Sequence, residues 1–584
     1  MATLFKEVSY NLQGLKNDID MGVIGLPDIQ RPFVWKDTKV RELFDSMYRG
    51  FPVGYLLLWA NGNTNDTRQI GSDGKQKNPN LLIVDGQQRL TSIYAVTTGK
   101  EIIRDNFKKE RIVISFKPLE EKFVIPDAAS KRGPEYVQNI SKLWEVDFDM
   151  YEFVEEFITR LEKSRPLTKE EKTTIRKNIN NVKNLEHYGF SALELSANIS
   201  EEEVAEIFVR INYQGKTLNQ ADFILTLMSV FWDDGRTDLE SFCRDTRIPN
   251  IQSASAFNFI IQPSPDQLLR VSVGLAFKRA VLKYVYNILR GKDLETGEFD
   301  VERREQQFNK LKEAQMKVLD LTNWHEYLKC IKQAGYIKSD LLRSKTNVIY
   351  VYIMFLIGRV EYNLDLFELR KIIAKWFFMT ALTSRYGSSP ESQMEQDLSL
   401  LRNITSGQDF INVLEQQIYN QFTNDFWTIT LPNNSLATSS STSPAMYAYY
   451  ASLNLLDAMG LFSKMKIHDL LAEGLRAKKS PLEIHHLFPK GYLKLIGITD
   501  QQHINQIANY ALVEWNDNID ISDKAPSEYL PKYITRYSEE ELQKMFYWHA
   551  LPENWQNMDY SEFLQKRRVL IAGVIKDAFS KISL

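Results

Sequence analysis

Two of the seven histidines in this chain lie side by side, in a segment whose residue types suit hydrolytic chemistry. His485 and His486 follow a short, mainly apolar run, and Pro489, three positions after the pair, is expected to end a strand. Neighbouring side chains on a strand point to opposite faces. A bend at this point therefore predicts that one imidazole can face a metal ion while the other faces a water molecule.

Asparagine side chains follow the histidine pair at Asn509, Asn516 and Asn518. A carboxamide oxygen can bind a divalent cation, and an amide can orient an imidazole through a hydrogen bond to one ring nitrogen. The segment therefore has the residue types of a metal-dependent phosphodiesterase. Two simpler interpretations stay open: the histidines form an exposed turn, or Asn516 takes the place of Asn518, since asparagine is common in turns.

The order of these residues resembles the HNH, or His-Me finger, nuclease domain that ends many modification-dependent restriction enzymes. The resemblance rests on H-H-x-F-P from His485, on Asn509, and on Asn518 followed by I-S-D-K-A-P-S-E-Y. It implies that His485 and Asn518 bind a single divalent cation, Mg²⁺ or similar. It also implies that His486 is the general base and that Asn509 holds this base in its productive tautomer.

A strand, a glycine turn and a helix are predicted to follow one another near the N-terminus. The apolar segment 80–84 runs into D-G-Q-Q-R at 85–89, after which the sequence has helical periodicity. Such an arrangement exposes backbone N–H groups at a helix start, as phosphate sites do. Gly86 permits close backbone approach, Arg89 can bind a phosphate with two N–H groups, and Asp85 can reach a metal ion or polarise a water. A plain turn is the alternative, because Asp-Gly is a common turn dipeptide.

Two sequence boxes resemble the ParB/sulfiredoxin-like domain of GmrSD-type restriction enzymes: I-Q-R-x-x-x-W and D-G-Q-Q-R-L-T. In that family, nucleotide binding and hydrolysis are attributed to the second box, so the resemblance implies an NTPase domain. It does not specify whether the nucleotide is GTP, UTP, CTP or ATP. A third box, 208–222, implies supporting or coupling roles for Arg210, Asn212 and Asp222, unless Arg210 simply pairs with an acid. The implied nucleotide-site residues are Gln30, Arg31, Asp85, Gly86, Gln87, Gln88 and Arg89.

Amphipathic periodicity dominates the chain from Leu225 to Phe426 and predicts a helical region. Within it, R-Y-G-S-S-P-E from Arg385 resembles the R-Y-S-x-S-x-E segment of the same restriction family, with Gly387 in place of Ser. We expect Ser389 to cap a helix that starts at the following proline, and a role of Arg385 in DNA binding or coupling is the alternative. The predicted helices include 268–290, 304–321, 347–360 and 366–382.

Composition indicates a large soluble protein with several cores. The chain has 584 residues, of which 43% are hydrophobic, and its longest apolar run, near 348–358, is too short to span a bilayer. Two cysteines suit a reducing cytoplasm and are too few for the zinc-binding pairs that staple many HNH nucleases. A net charge of −3 gives no global attraction to nucleic acid, so DNA binding would depend on basic clusters such as 476–479, unless these are solvated helix faces.

We therefore predict an α+β multidomain fold. A ParB/sulfiredoxin-like α/β domain is expected at 1–230, an α-helical middle region at 231–426, and a ββα-metal (HNH) nuclease domain at 427–584. The polar run at 433–443 has little to bury and predicts a flexible loop before the nuclease domain.

The resemblances together imply a modification-dependent DNA restriction endonuclease in antiphage defence. An NTP-hydrolysing sensor would be coupled to metal-dependent cleavage of double-stranded DNA from modified phage or other foreign sources. The alternatives are a phosphorothioate-sensing nuclease of the same class and a nucleotide-binding regulator whose HNH fold only binds. The expected setting is cytoplasmic, with no membrane partner, and self-association and the kind of DNA modification stay open.

Overall fold

The protein is described by a computed structural model whose contacts divide the chain into two compact units, Met1–Asp234 and Gly235–Leu584. The predicted boundary between a middle region and a nuclease domain, at 426/427, falls inside the second unit, and the three-domain division stays a prediction. The described residues are 4–27, 35–60, 80–104, 108–127, 132–197, 232–250, 252–291, 300–471, 482–514 and 521–582, with short pieces at 33, 67–68, 75–76, 130, 199, 204, 207, 220–221, 224–225 and 228.

The first unit is built on a mixed seven-stranded sheet in the order β1-β11-β3-β6-β2-β4-β5. β3 pairs parallel to β11 and antiparallel to β6, and all four of its residues, Leu56–Trp59, are buried. An apolar strand buried on both faces belongs in the middle of a sheet. The strands of this unit are β1 Phe5–Asn11, β2 Ile24–Pro27, β3 Leu56–Trp59, β4 Thr67–Arg68, β5 Lys75–Gln76, β6 Leu81–Asp85, β7 Glu101–Ile103, β8 Lys109–Arg111, β9 Ser115–Lys117, β10 Lys122–Val124 and β11 Gly189–Leu195.

Helices cover the first sheet and contribute to its core, which includes Phe44, Leu58, Ile83 and Val96. Local sequence fixes where several of them begin; Thr168, for example, starts a helix through a reciprocal capping box with its N3 glutamate. The helices are α1 Leu12–Asp20, α2 Asp37–Tyr48, α3 Gln87–Thr98, α4 Met150–Glu162 and α5 Lys169–Lys183, with 3₁₀ turns at Ile140–Trp144 and Asn184–His187.

The second unit is mainly helical, as the periodicity of its first half predicts. Its helices are α6 Asp233–Asp245, α7 Pro265–Phe277, α8 Leu282–Leu289, α9 Val301–Val318, α10 Leu321–Gln333, α11 Lys345–Leu356, α12 Leu366–Leu382, α13 Pro390–Ser399, α14 Gly407–Gln421, α15 Pro444–Leu455, α16 Ile467–Leu471, α17 Lys490–Leu495, α18 Gln501–Ile504, α19 Pro526–Ile534, α20 Glu539–Trp548 and α21 Tyr560–Lys581. Short 3₁₀ turns lie at Ser339–Leu341, Ile507–Asn509 and Trp555–Asn557, and π-helical segments at Ile357–Glu361 and Phe426–Ser435.

An antiparallel hairpin of β12 Leu482–His486 and β13 Tyr510–Glu514 lies among these helices. The C-terminal helix α21 packs against the helical region that precedes the hairpin in sequence: the ring of Phe579 lies 5.6 Å from Phe378 and 4.9 Å from Phe422. These contacts explain why the chain from 235 to 584 forms one unit.

The polar run at 433–443 has more contacts than its composition predicts. Leu436 is 1% exposed, so the run has an apolar anchor. Its backbone also meets the chain near the hairpin, because the Ile507 N–H donates to the Thr438 carbonyl at 2.9 Å. Apart from Leu436 and Ser443 the run is exposed or half-buried, so it does have little to bury, and its flexibility stays a prediction.

The mixed α+β class is confirmed, with a predominance of helix. No helix within the described ranges is long and apolar enough to cross a membrane. Cys243 and Cys330 are both free thiols in buried positions.

Candidate active site

The histidine pair lies at the end of β12, where the hairpin places the two side chains on opposite faces. His485 faces Ala511 across the hairpin and is 5% exposed, with its ring 6.4 Å from that of Tyr529. His486 faces Tyr510, and their rings meet edge-on at 4.9 Å. The strand and the different surroundings of its two imidazoles agree with the sequence prediction.

His486 is held by Asn505, at the C-terminal end of α18. Its Nε2 lies 3.1 Å from the Asn505 side-chain oxygen. When Nε2 carries the proton, it donates to this oxygen, and Nδ1 keeps the lone pair that a general base needs. Burial lowers the pKa of His486 to about 4, reinforced by nearby Lys490 and His485, although the Asn505 hydrogen bond acts in the opposite direction. The imidazole is therefore neutral at physiological pH.

Asn509 performs a different task from the one expected of it. The hydrogen bond that we expected it to supply to the general base comes from Asn505 instead, because the Asn509 amide is occupied with backbone. Its oxygen accepts from the Phe488 N–H at 2.8 Å, and its nitrogen donates to the carbonyls of Phe488 at 3.0 Å and Ile504 at 3.3 Å. The side chain is fully buried. Asn509 therefore fixes the turn that follows His486, and its part in catalysis stays a prediction.

Two more buried side chains fasten this hairpin. The Tyr529 hydroxyl donates to the Leu487 carbonyl at 2.6 Å. Arg567, from α21, has no exposed surface and donates to the Ala508 carbonyl at 2.7 Å and to the His549 carbonyl at 3.0 Å. A guanidinium with five N–H donors can bridge separate carbonyls in this way. The residues that follow the histidine pair and those that precede β13 are thus tied to α19 and α21.

The donor types of the predicted metal ligands fit a divalent cation. His485 offers an imidazole nitrogen and Asn518 a carboxamide oxygen, and protein sites for such cations use both. Of this pair, the structure describes His485 only, since Asn518 lies at 515–520, outside the described residues. Across the described ranges, no three His, Cys, Asp or Glu side chains come together as a metal-binding group.

The loop at 85–89 joins strand and helix as the sequence predicts. Asp85 ends β6, and Gly86 precedes α3 with φ +93°, a conformation that favours glycine. A Cβ at Gly86 would lie 2.5 Å from the Leu56 side chain, so no larger residue fits without movement. Within the described part of the chain, no side chain caps the start of α3 and no acid lies in its first turn. Its first N–H groups therefore suit an anion.

Arg89 shapes this loop by binding carbonyls. Its Nη1 donates to the Val53 carbonyl at 2.6 Å and its Nη2 to the Tyr55 carbonyl at 2.8 Å, with Asp85 at 3.5 Å. Desolvation lowers the pKa of Arg89, partly offset by Asp85. Both terminal nitrogens of Arg89 thus already have acceptors in the turn around Gly54. The expected contact of Arg89 with a phosphate stays a prediction.

Arg385 belongs to a buried clamp in the second unit. It binds both carboxylate oxygens of Asp397, at 2.9 and 2.5 Å, and the Tyr386 hydroxyl donates to the same carboxylate at 2.9 Å. α13 does start at Pro390, but among the described contacts the Ser389 side chain makes no capping hydrogen bond, so that expectation was wrong. The ion pair of Arg385 with Asp397, which joins the two ends of the motif, fixes the segment instead.

The structure brings together His485, His486 and Asn509 at one hairpin and Asp85, Gly86, Gln87, Gln88 and Arg89 at one helix start. Sequence reasoning missed Asn505 and Arg567, and it included Tyr529 only as the end of the segment that resembles the HNH domain, without a role. A carboxamide four residues before Asn509 was a visible signal for Asn505. Nothing local marks Arg567, which acts across a long sequence distance. The remaining predicted site residues lie outside the described residues: Gln30, Arg31, Arg210, Asn212, Asp222 and Asn518.

Comparison with known proteins supports a class for this chain. Residues 12–229 match the family model described as GmrSD restriction endonuclease, N-terminal domain. The match supports a relationship to the GmrSD family and, with it, to the restriction endonucleases, whose substrate is DNA. The chain is also 22% identical over 551 residues to an uncharacterized protein of Methanocaldococcus jannaschii, covering 90% of this chain and 87% of the relative. The family match includes the loop at 85–89 and ends before the histidine hairpin.

Proposed function

We propose that this protein is a restriction endonuclease that hydrolyses modified foreign DNA at the histidine hairpin, under the control of an NTP-binding N-terminal domain. The observation that carries the proposal is His486, a neutral imidazole whose Nε2 lies 3.1 Å from Asn505 on a hairpin locked by buried hydrogen bonds. The match of residues 12–229 to a restriction-enzyme domain supports DNA as the substrate.

His486 acts as the general base in this proposal. Its Nδ1 takes a proton from the attacking water, while the Asn505 oxygen holds the Nε2 proton and stabilises the imidazolium that forms. A pKa near 4 keeps the base deprotonated over the whole physiological range. Asn505 at Nε2 and the ring of Tyr510, 4.9 Å away, hold the imidazole in position before substrate binds.

His485 and Asn518 would hold the divalent cation, Mg²⁺ or similar. When bound, such a cation neutralises the charge that builds on the phosphate and the leaving oxygen. Because His485 lies next to His486 on the strand, the hairpin that orients the base also fixes the ligand.

The N-terminal site would take the phosphates of an NTP at the start of α3. Gly86 lets the phosphates approach the backbone, the first N–H groups of the helix bind them, and Arg89 keeps the neighbouring turn in shape. Asp85, which is partly exposed at the end of β6, is available to orient a water or a cation. Nucleotide would change both the affinity for DNA and its cleavage. By linkage, DNA would change nucleotide affinity by the same factor by which nucleotide changes DNA affinity.

A binding-only regulator is the second candidate. The burial of His485, which is 5% exposed, favours it, because little of this side chain is open to an incoming metal ion. In that case the hairpin would bind nucleic acid or a protein partner without cleaving DNA, and the N-terminal domain would still bind nucleotide.

The deciding experiment is digestion of phage DNA that carries modified bases or a modified backbone, and of unmodified DNA, with Mg²⁺ or Mn²⁺ and each NTP in turn. We expect cleavage of modified DNA that EDTA abolishes and that His486→Ala reduces by about 10²–10⁴-fold. His468→Ala, which removes an imidazole that is 53% exposed, is the matched control. Equal cleavage rates for wild type and His486→Ala would show that the hairpin is not the active site. NTP binding without cleavage under any condition would favour the regulator.

A further inference from the structure

A carboxylate from the chain that follows β13 reaches the helix that follows the histidine pair. The N–H of Gly491, the second residue of α17, donates to Asp523 Oδ1 at 3.0 Å. A Cβ atom on Gly491 would lie 2.2 Å from Asp523 Cγ and 2.4 and 2.6 Å from its two carboxylate oxygens. No side chain fits at such distances unless Asp523 moves away, so the contact requires glycine at position 491.

A second hydrogen bond joins the same two parts of the chain. The Tyr529 hydroxyl donates to the Leu487 carbonyl at 2.6 Å. Leu487 and Gly491 are the two ends of the turn by which the chain leaves the histidine pair. Ile521, which has no exposed surface, anchors the start of the segment that carries Asp523 and ends at Tyr529. This segment is therefore fixed to both ends of the turn.

The backbone next to Asp523 depends on such contacts. Ser522 has φ +49°, a left-handed conformation that is unfavourable for a residue with a side chain. Such a conformation persists where neighbouring contacts fix the chain. α19 starts at Pro526, and its N-cap residue is Ala525, whose methyl group cannot bind the free N–H groups of the helix. The contact of Asp523 with Gly491 therefore helps to fix the approach to α19.

α19 carries the ring that packs on His485. The Tyr529 ring lies 6.4 Å from the imidazole, at an interplanar angle of 83°. His485 is 5% exposed, so the position of its neighbours decides from which direction an ion can approach. Asn518, the other predicted cation ligand, lies outside the described residues, three positions before Ile521 in sequence. A displacement of the 521–529 segment would therefore alter the surroundings of one predicted ligand and the attachment point of the other.

We propose that Asp523 is a positioning residue for the divalent cation, because its contact with Gly491 holds the 521–529 segment where His485 can bind the ion. The inference rests on the proposed nuclease function, in which His485 is a cation ligand. Residues behind the ligands of a metal ion fix the orientation of those ligands, and replacing them typically weakens metal binding about 10–100-fold. Loss of the contact should therefore raise the concentration of ion that cleavage requires and leave the maximal rate unchanged.

The test titrates Mn²⁺ by calorimetry into the full-length chain, without DNA or nucleotide. The binding that disappears in His485→Ala defines the site. We expect Asp523→Ala and Gly491→Ala each to weaken this binding about tenfold, the first by removing the carboxylate and the second by displacing it. Asp523→Asn should bind Mn²⁺ more tightly than Asp523→Ala, because a carboxamide oxygen still accepts from the Gly491 N–H.

Three controls separate the position of the segment from general effects. Gly573→Ala adds a methyl group on α21, where no described atom lies within 4 Å of the new Cβ. Asp425→Ala removes an exposed carboxylate that makes no capping hydrogen bond with any residue that the structure describes. Leu414→Ala removes a side chain on α14 that is 1% exposed, and so lowers the stability of the same unit. All three should keep the Mn²⁺ affinity of the parent chain, at a temperature where circular dichroism shows every variant to be folded.

Cleavage of DNA provides a second readout. Asp523→Ala should need about ten times more Mg²⁺ for half-maximal cleavage and reach the maximal rate of the parent chain. Equal Mn²⁺ affinities of Asp523→Ala, Gly491→Ala and the parent chain would overturn the proposal and leave the proposed nuclease function untouched. A loss of affinity in Leu414→Ala as large as that in Asp523→Ala would also overturn it. If His485→Ala does not change Mn²⁺ binding, His485 is not a cation ligand, and the proposal falls together with that part of the proposed function.

Discussion

The side-chain amide of Asn509 binds both backbone polar groups of Phe488, accepting from its N–H at 2.8 Å and donating to its carbonyl at 3.0 Å. Phe488 is two residues beyond His486, and its ring packs 4.7 Å from that of Phe563 on α21. One buried amide therefore joins the end of β12 to the start of β13 and sets the direction in which the chain leaves the histidine pair.

Replacing Asn509 with Leu should destabilise the second unit. The substitution leaves the N–H and C=O of Phe488 buried without this partner, at a cost of about 1–3 kcal/mol for each orphaned group. Urea unfolding followed by circular dichroism measures the loss as a lower midpoint with an unchanged m-value. Asn412→Leu is the control, because its side chain makes only an exposed hydrogen bond on α14. Equal midpoints for wild type and Asn509→Leu would show that the turn is fixed by other contacts.

Asn505→Ala should lower the rate of DNA cleavage with little change in KM. The variant removes the acceptor on His486 Nε2 and so frees the ring to rotate and to change tautomer. Because the Asn505 hydrogen bond raises the pKa of His486, its loss should also move the acid limb of the pH–rate profile to lower pH. We expect Asn505→Asp to restore part of the rate, since a carboxylate also accepts from Nε2. A rate and profile like those of wild type in Asn505→Ala would show that this contact does not position the base.

The second unit should lose stability as pH falls from about 6.5 to about 4, because of His549. Burial lowers the pKa of this imidazole to about 4, with nearby Arg567 adding to the effect. Between these values the unfolded chain binds a proton that the folded chain rejects, so the free energy of unfolding falls as the pH is lowered.

The contribution of His549 to this loss of stability is measured in the His549→Gln variant. In the wild type, His549 Nε2 lies 2.9 Å from the Met459 carbonyl, and the amide of Gln can still donate to that carbonyl. One fewer titrating proton should flatten the slope of unfolding free energy against pH by up to ~1.4 kcal/mol per pH unit within this window. His187→Gln, at a side chain that is 70% exposed, is the control. An unchanged slope in His549→Gln would assign acid sensitivity to other groups.

Gly54→Ala should impair nucleotide binding more than Gly50→Ala does. Both glycines have a positive φ, +88° and +72°, so alanine strains both turns to a similar extent. At Gly54, however, the new methyl group would lie 2.5 Å from Arg89 Nη1, whereas nothing lies within 4 Å of it at Gly50. Calorimetric titration with each NTP measures the difference, and thermal unfolding of both variants controls for backbone strain. Identical nucleotide affinities in the two variants would show that the turn bound by Arg89 does not contribute to nucleotide binding.

Local sequence was sufficient for most individual elements. The predicted helix at 366–382 has the observed bounds, Leu366–Leu382, and the predicted strand at 80–84 is displaced by one residue, to Leu81–Asp85. Apolar periodicity and the D-G turn specify such elements through contacts between residues that are close in sequence. The long helix predicted at 268–290 was wrong, however. It is two helices, α7 and α8, since Lys278 takes φ +47° and the Glu395 carboxylate binds the N–H groups of Ala280 and Val281.

The sequence by itself determined which residues could form the candidate site, namely the histidine pair, the asparagines that follow it and the glycine turn at 85–89. The tertiary structure decided which atoms meet: Asn505, and not Asn509, lies at His486, and Arg89 binds the carbonyls of Val53 and Tyr55. The physical reason is that a carboxamide or a guanidinium can satisfy many different acceptors. The acceptor that such a side chain binds depends on which backbone groups are left buried and unpaired when distant helices pack. Neither the spacing of the residues nor their types specify those groups.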